Sequence, residues 1–334
     1  MEMTKTDSHD PFCSYEEMGD DLKKILIQNS DSPSTIRNRR HFWQKFEAWC
    51  KETSHPALPT KSDTLVLYLF DQARKGAKKS TLNNMRWAID SRHRKEDMPA
   101  PSDNLEARLQ IKGLLRELAS KRPDQVKKSK KKPITIEHIK KMNFPDGIEG
   151  IRDRTLLLVG FSSGMRRSEL ASLERTSIRP SEFGLRIEIP RSKSDQSGKG
   201  EVIDIVRAID YSNHGFCPVD NLEKLLGLHN HKRVFTRIKR KSKKNEGLNQ
   251  FTKEFTDTNL DGNLIYRLIK KYGVQIGFKE HEIGAHSLRS GCATYLLEKA
   301  VPAAIVQKQL RHKSFDTTQS YNHVENARLI KGVY

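Results

Sequence analysis

Residues 121–133 read Lys-Arg-Pro-Asp-Gln-Val-Lys-Lys-Ser-Lys-Lys-Lys-Pro, with seven basic side chains, one acidic and one valine. A stretch with so little to bury, and a proline near each end, cannot join a hydrophobic core and is predicted to be an extended linker. It therefore cuts the 334-residue chain into two pieces, each long enough to bury a core of its own. The expected organisation is a flexible acidic segment at 1–31, a first domain at 32–120, the basic linker at 121–133 and a second domain at 134–334.

The charge is not confined to the linker. The chain has 61 Lys and Arg against 42 Asp and Glu, a formal net charge of +19, and the first 31 residues carry eight of the acidic groups. Both remaining domains are thus basic, which suggests a polyanionic partner gripped from two sides with the linker as a strap; the competing reading of the lysine run is a solvated stretch or a localisation signal. The longest apolar run, Leu156 to Phe161, is far short of the roughly 18 residues a membrane helix needs. The polar, acidic amino terminus does not read as a signal peptide. Cysteines 13, 50, 217 and 292 form no CxxC pair, which argues against a structural zinc site or a disulfide scaffold. A soluble, intracellular protein is the expectation.

Hydrophobic spacing predicts helices throughout residues 32–120. Ser32-Pro33 is a helix start, and Ile36, Phe42, Phe46, Trp49 and Cys50 follow at three- and four-residue spacing. Asp63 and Ser80 are expected to cap the next two helices, and a fourth follows Pro101-Ser-Asp103. The three tryptophans, 43, 49 and 87, are expected in the core. Arg37 and Arg40 form a basic stripe on the first helix, and the third displays Asn83, Asn84, Arg86, Arg92 and Arg94, side-chain types that read bases and phosphates. Arg37, Arg40, Asn83, Asn84, Arg86 and Arg94, with Lys127, Lys128, Lys130, Lys131 and Lys132 of the linker, are the candidate nucleic-acid contacts.

Residues 134–334 mix helix and strand. Thr135 can cap a helix, Asp153 to Leu173 reads as helical with a break near Gly164, and 185–189 with 202–206 forms a strand hairpin. Residues 239–262 are polar and are expected to be a long loop. From Ala285 onward the pattern is helical again.

Three short segments carry groups suited to attack on a phosphodiester. Gly164-Met-Arg-Arg-Ser-Glu-Leu170 holds Arg166 and Glu169 three apart, Ala285-His-Ser-Leu-Arg289 holds His286 and Arg289 at the same spacing, and His312 precedes Tyr321 by nine residues. Arginine's fork matches phosphate oxygens, and tyrosine can hold a phosphoryl group covalently. Each pair alone is commonly a surface salt bridge or a packing contact, so the weight lies on the ordered set. His229-Asn230-His231, by contrast, is too compact for a ββα nuclease site and reads as loop.

Over residues 32–325 that ordered set resembles the tyrosine recombinase (phage-integrase) family, and the amino-terminal half is similar to its Cre-like members. Gly164–Leu170 resembles the family's first arginine box, His286-Ser-Leu-Arg289 its His-x-x-Arg box, and Leu310-Arg-His312 with Thr318-Gln-Ser-Tyr321 its terminal box. Arg191-Ser-Lys193 stands where the family has its β-hairpin lysine. One departure is Leu-Arg311-His, where the family usually has Leu-Gly-His.

The resemblance implies a mainly α-helical fold with a small β-sheet in the catalytic domain, the whole forming a two-domain, C-shaped DNA clamp with a SAM-like core-binding domain at 32–120. It implies a site-specific DNA recombinase working through a 3′-phosphotyrosyl intermediate and a Holliday junction. Arg166 and Arg289 would clamp the phosphate, His286 and His312 would donate hydrogen bonds or take a proton, Lys193 would protonate the leaving oxygen, Glu169 would hold the cluster and Tyr321 would be the nucleophile. No metal or nucleotide cofactor is needed. The implied partners are double-stranded DNA bearing inverted-repeat sites and three further copies of the chain in synapsis, with a monomer in free solution and the DNA of a prokaryotic cytoplasm as setting. The competing readings are a type IB topoisomerase, which shares the chemistry, and a non-catalytic DNA-binding protein on the same fold.

Overall fold

The computed structural model describes residues 31–122, 131–189, 200–208, 215–245 and 248–321. Lys127, Lys128, Lys130, Lys193 and the segment 1–30 lie outside the described residues. By backbone packing the chain divides into two compact units, residues 1–129 and 130–334. Among the described residues no helix is long and apolar enough to cross a membrane.

The first unit is helical: α1 Pro33–Glu52, α2 Ser62–Arg74, α3 Lys79–Lys95 and α4 Leu105–Lys121, with a 3-10 turn at Pro101–Asp103. Ser32 caps α1 as expected, its Oγ accepting from the Thr35 amide at 3.2 Å, and Asn104 Oδ1 caps α4 by accepting from Ala107 N at 3.0 Å. The caps expected at Asp63 and Ser80 are not there. Both helices begin earlier, with Lys61 and Lys78 at the N-cap and no side-chain bond, so Asp63 acts only as an acidic group in a first turn. Phe46, Leu65, Leu69, Leu82, Ile89 and Ile111 form the core, and Tyr68 meets Phe46 edge-on at 5.0 Å between centroids. Trp43 and Trp49 pack at its margin, whereas Trp87 is 55 % exposed, contrary to expectation. The reason is angular: α3 buries Leu82, Met85 and Ile89, and a residue two positions from Met85 and from Ile89 faces the other way.

The second unit comprises α5 Ile136–Lys140, α6 Ile148–Ser163, α7 Arg167–Ser172, β1 Ile178–Ser181, β2 Gly184–Ile189, β3 Glu201–Val206, α8 Pro218–Leu228, β4 Thr236–Asn245, β5 Leu248–Asn259, α9 Gly262–Gln275, α10 Ser287–Glu298, α11 Ala303–Leu310 and α12 Phe315–Gln319. Helix α6 is apolar over Leu156–Phe161 and runs through the middle, buried on every side against α8 and α10. It starts five residues before the expected Asp153 and ends, as expected, at Gly164. That glycine takes the left-handed conformation (φ 58°), and a Cβ on it would sit 2.4 Å from the Leu310 side chain.

The sheet has one strand more than the expected hairpin. Its order is β1-β2-β3, antiparallel throughout, with Leu185 opposite Ile205 and Ile187 opposite Ile203 on the buried face. Strand β1 is short and contains Pro180, so it has no alternating pattern to read. The larger correction is at 239–262, where the expected loop is a second hairpin, β4-β5. Near its base Ile238 faces Phe255, whose ring packs on His229 at 4.5 Å between centroids, while further out Lys239 pairs with Glu254 at 3.0 Å. Charged side chains exposed to water remove the apolar alternation from which a strand is read.

Candidate active site

The termini of α6 and α11 create the centre of the site. Each helix ends in a left-handed residue, Gly164 at φ 58° and Arg311 at φ 56°, which turns the chain sharply and leaves terminal carbonyls pointing outward. The buried Arg289 guanidinium, from the first turn of α10, occupies the gap. Its Nη1 donates to Gly164 O at 2.6 Å and its Nη2 to Leu310 O. Two helix C-terminal ends, each with partial negative charge, thus hold one cation. Burial lowers its pKa to about 10, with Arg166 and Arg311 adding repulsion, and it is still charged at neutral pH.

Arg166 stands at the N-cap of α7. Its Nη1 donates to Glu169 Oε1 and its backbone N–H to Glu169 Oε2, both at 2.7 Å. Glu169 is only 6 % exposed, and its second oxygen also accepts from Arg311 Nη2 at 2.9 Å. Burial alone would raise the Glu169 pKa, but Arg311 and Arg166 outweigh it and hold the carboxyl below its ordinary range. Glu169 is therefore a fixed anion between two guanidinia.

His286 lies just before α10, and its Nε2 is 2.8 Å from Tyr321 Oη. The Tyr321 ring stacks on His312 at 5.8 Å and 13°. His312 in turn is held through Nδ1 by Thr318 Oγ1 at 2.8 Å, which leaves its other nitrogen for a ligand. Burial, then the repulsion of Arg289, His286, Arg166 and Arg311, lowers the His312 pKa to about 4. His286 is lowered too, by burial and then by Arg289 and Arg166. Both imidazoles are neutral at pH 7, able to accept a proton. Burial raises the Tyr321 pKa, with Arg289 opposing, so the phenol keeps its proton until something removes it.

Six of the seven residues singled out for chemistry therefore meet: Arg166, Glu169, His286, Arg289, His312 and Tyr321. Lys193 lies outside the described residues, in the connection between β2 and β3. Two residues that the sequence reading left unassigned join them, Arg311 and Glu201, whose Oε2 accepts from Arg311 Nη1 at 3.4 Å. Nothing local marks Glu201, since it reaches the site only through tertiary packing. The linker ends beside the same site: Lys132 N donates to Glu282 O at 2.8 Å, Ile134 N to Ser287 O at 2.9 Å, and Lys132 Nζ pairs with Glu282. Lys131 Nζ likewise donates to His281 O.

In the first unit Arg37 and Arg40 are exposed on α1, Asn83 and Asn84 are half-buried on α3, the Arg86 Nε is buried, and Arg94 is paired with Asp103 at 3.0 Å. A groove of about 190 Å³ between α1 and α3 is lined by Arg39, Arg40, Trp43, Arg92 and Lys95. Arg92 lies over the Trp43 ring, 5.9 Å from its centroid. Of this basic groove Arg40 and Arg92 are legible in the sequence, each on its own helix, whereas Arg39 and Lys95 are not, because membership depends on how the two helices cross.

Residues 134–328 match the phage integrase family. The chain is 27 % identical over 317 residues to the integrase/recombinase xerD homolog of Selenomonas ruminantium, covering 92 % of this chain and 86 % of that protein. It is 25 % identical over 328 residues to the tyrosine recombinase XerA of Thermococcus onnurineus, covering 95 % and 97 %. Among solved structures it resembles a lambda integrase dimer bound to a COC′ core site (TM-score 0.57, 15 % identity, 90 % of this chain and 75 % of that one). It also resembles the Tn1549 transposon integrase in complex with circular intermediate DNA (TM-score 0.56, 13 % identity, 93 % and 97 %). Both structures share its fold. The two sequence relatives carry xerD and XerA names, and the likeness of the amino-terminal half to Cre is only a loose comparison.

Proposed function

The chain belongs to the phage integrase family, and from that premise we propose that it is a site-specific DNA recombinase of the tyrosine type. The observation that carries the reading is the 2.8 Å bond between His286 Nε2 and Tyr321 Oη beside the Arg166–Glu169–Arg289 cluster. In the proposed reaction Tyr321 Oη attacks the scissile phosphorus and its proton passes to the neutral His286. A Tyr–O–P bond forms as the bond from phosphorus to the 5′-oxygen breaks, which leaves a 3′-phosphotyrosyl link. Arg166 and Arg289 neutralise the non-bridging oxygens, and His312 donates a hydrogen bond; each such donor is typically worth about 10²–10³ in rate. Lys193 supplies the proton to the departing oxygen. Glu169 keeps Arg166 aimed, as their 2.7 Å pairing supports.

One phosphate ester replaces another, so the link conserves the energy needed for religation and the scheme calls for no metal or nucleotide cofactor. A 5′-hydroxyl from a second duplex can reverse the step, which exchanges strands through a Holliday junction. The acting species is a homotetramer on two sites with inverted arms, and the residues proposed to contact DNA outside the site are Arg37, Arg40, Asn83, Asn84, Arg86, Arg94 and the linker lysines.

Incubation with a nicked target site in EDTA should give an adduct that survives boiling in detergent, and Tyr321→Phe should abolish it. An adduct formed by the phenylalanine variant would sink the assignment. Relaxation of plasmids lacking any target site, with no recombinant from paired sites, would instead favour a topoisomerase.

A further inference from the structure

Arg311 occupies a backbone position that costs it energy. Left-handed φ and ψ are unfavourable for a side chain with a Cβ by roughly 1–2 kcal/mol, and glycine would escape that cost. Its side chain is also only 4 % exposed, and burying a guanidinium is costly unless it is paired. The structure shows what offsets both costs. The fork spans two carboxylates, with Nη2 on Glu169 at 2.9 Å and Nη1 toward Glu201 at 3.4 Å. Each partner sits at a strategic place. Glu169 holds Arg166, and Glu201 begins β3, where the β2–β3 connection bearing Lys193 re-enters the sheet. On the Arg311 chain itself, the preceding carbonyl, Leu310 O, holds Arg289, and the next residue is His312.

We propose that Arg311 is a positioning residue of the recombination site, a buried fork that ties the His312 turn to the Arg166–Glu169 pair and to the first residue of β3. This rests on the recombinase reading above. The fork acts in two ways. It fixes geometry, because a turn bonded to α7 and β3 cannot shift His312 without breaking an ion pair in a buried setting. It also adds a cation to a cluster in which Arg166, Arg289, His286 and Tyr321 already face His312, and Glu169 faces Arg166. That added charge opposes protonation of both His312 and Glu169.

The test uses the full-length protein, a nicked target site, and single-turnover cleavage of bound DNA measured from pH 5 to 9 beside affinity and thermal stability. Arg311→Gly relieves the backbone and removes the fork. It should bind DNA within about twofold of wild type, cleave it at least about tenfold more slowly, and show the acidic limb of its rate profile moved to higher pH. Arg311→Lys retains the charge but cannot span both carboxylates. It should restore the position of the acidic limb while remaining about tenfold slow, and it carries the test alone if the glycine variant does not fold. The proposal is overturned if Arg311→Gly cleaves at the wild-type rate with an unmoved profile, if its loss merely follows the unfolded fraction, or if Arg311→Lys cleaves like wild type. Failure of the wild-type protein to form any adduct would refute the recombinase reading itself, and so is distinct from these outcomes.

Discussion

His312 shows how a residue's neighbours decide its chemistry. An ordinary imidazole is half charged near pH 6.5, but this one is held down to about 4 by burial and by the surrounding guanidinia. The unfolded chain therefore binds a proton between pH 6.5 and about 4 that the folded chain refuses. Stability from this residue is present above that window and is lost as pH falls through it. A glutamine at 312 cannot take the proton, so thermal melts should show a smaller loss of Tm in His312→Gln than in wild type between pH 6.5 and 4.5. Equal losses would mean that His312 is not held neutral. The histidine itself was legible because the chemistry of phosphate attack demands its type at that place. Arg311 was not, since its partners Glu169 and Glu201 lie 142 and 110 residues away in sequence. Trp87 misled for the opposite reason: a large aromatic ring is usually buried, and only the inward face of α3 shows that this one is not.

Among the elements, α6 runs through the core of the second unit, and near its start lies one buried polar network. Asp153 accepts from Arg152 Nε at 2.9 Å and Nη2 at 2.7 Å and from Tyr272 Oη at 2.8 Å, while Arg152 Nη1 reaches Thr236 O at 3.3 Å. Helices α6 and α9 and strand β4 meet there. Asp153→Asn keeps the shape but strands a buried guanidinium, so it should cost about 3–5 kcal/mol in the urea transition of this unit. A loss below about 1 kcal/mol would show the network to be dispensable. The apolar run of α6 and the glycine that ends it could be read directly, because burial and left-handed φ each select residue types. Hairpin β4-β5 could not. Its strands are specified by pairing, as of Lys239 with Glu254, and pairing partners have no fixed separation in sequence.

For the whole molecule, the net charge of +19 comes from many side chains in both units and should act as a phosphate-seeking background. Lys131 and Lys132 have partners within the protein, and the proposed DNA contact of the linker is tested on the other three, Lys127, Lys128 and Lys130. Changing those three to glutamine should reduce the slope of log K against log salt by up to about 3, at about 0.9 per contact, without altering cleavage of bound DNA. An unchanged slope would remove the linker from the interface. Sedimentation should find a monomer in free solution and a tetramer on DNA bearing paired sites; a stable free tetramer would contradict the proposed assembly. The basic, apolar-poor composition of residues 121–133, the helical character of the first piece and the list of reactive side chains were determined by sequence alone, because composition, period and chemical reactivity are local properties. Which arginine faces which carbonyl, that His286 rather than His312 touches the tyrosine hydroxyl, and that a strained arginine bridges two glutamates were decided only by the tertiary structure, because the energy of a buried charge depends on neighbours that folding brings from far along the chain.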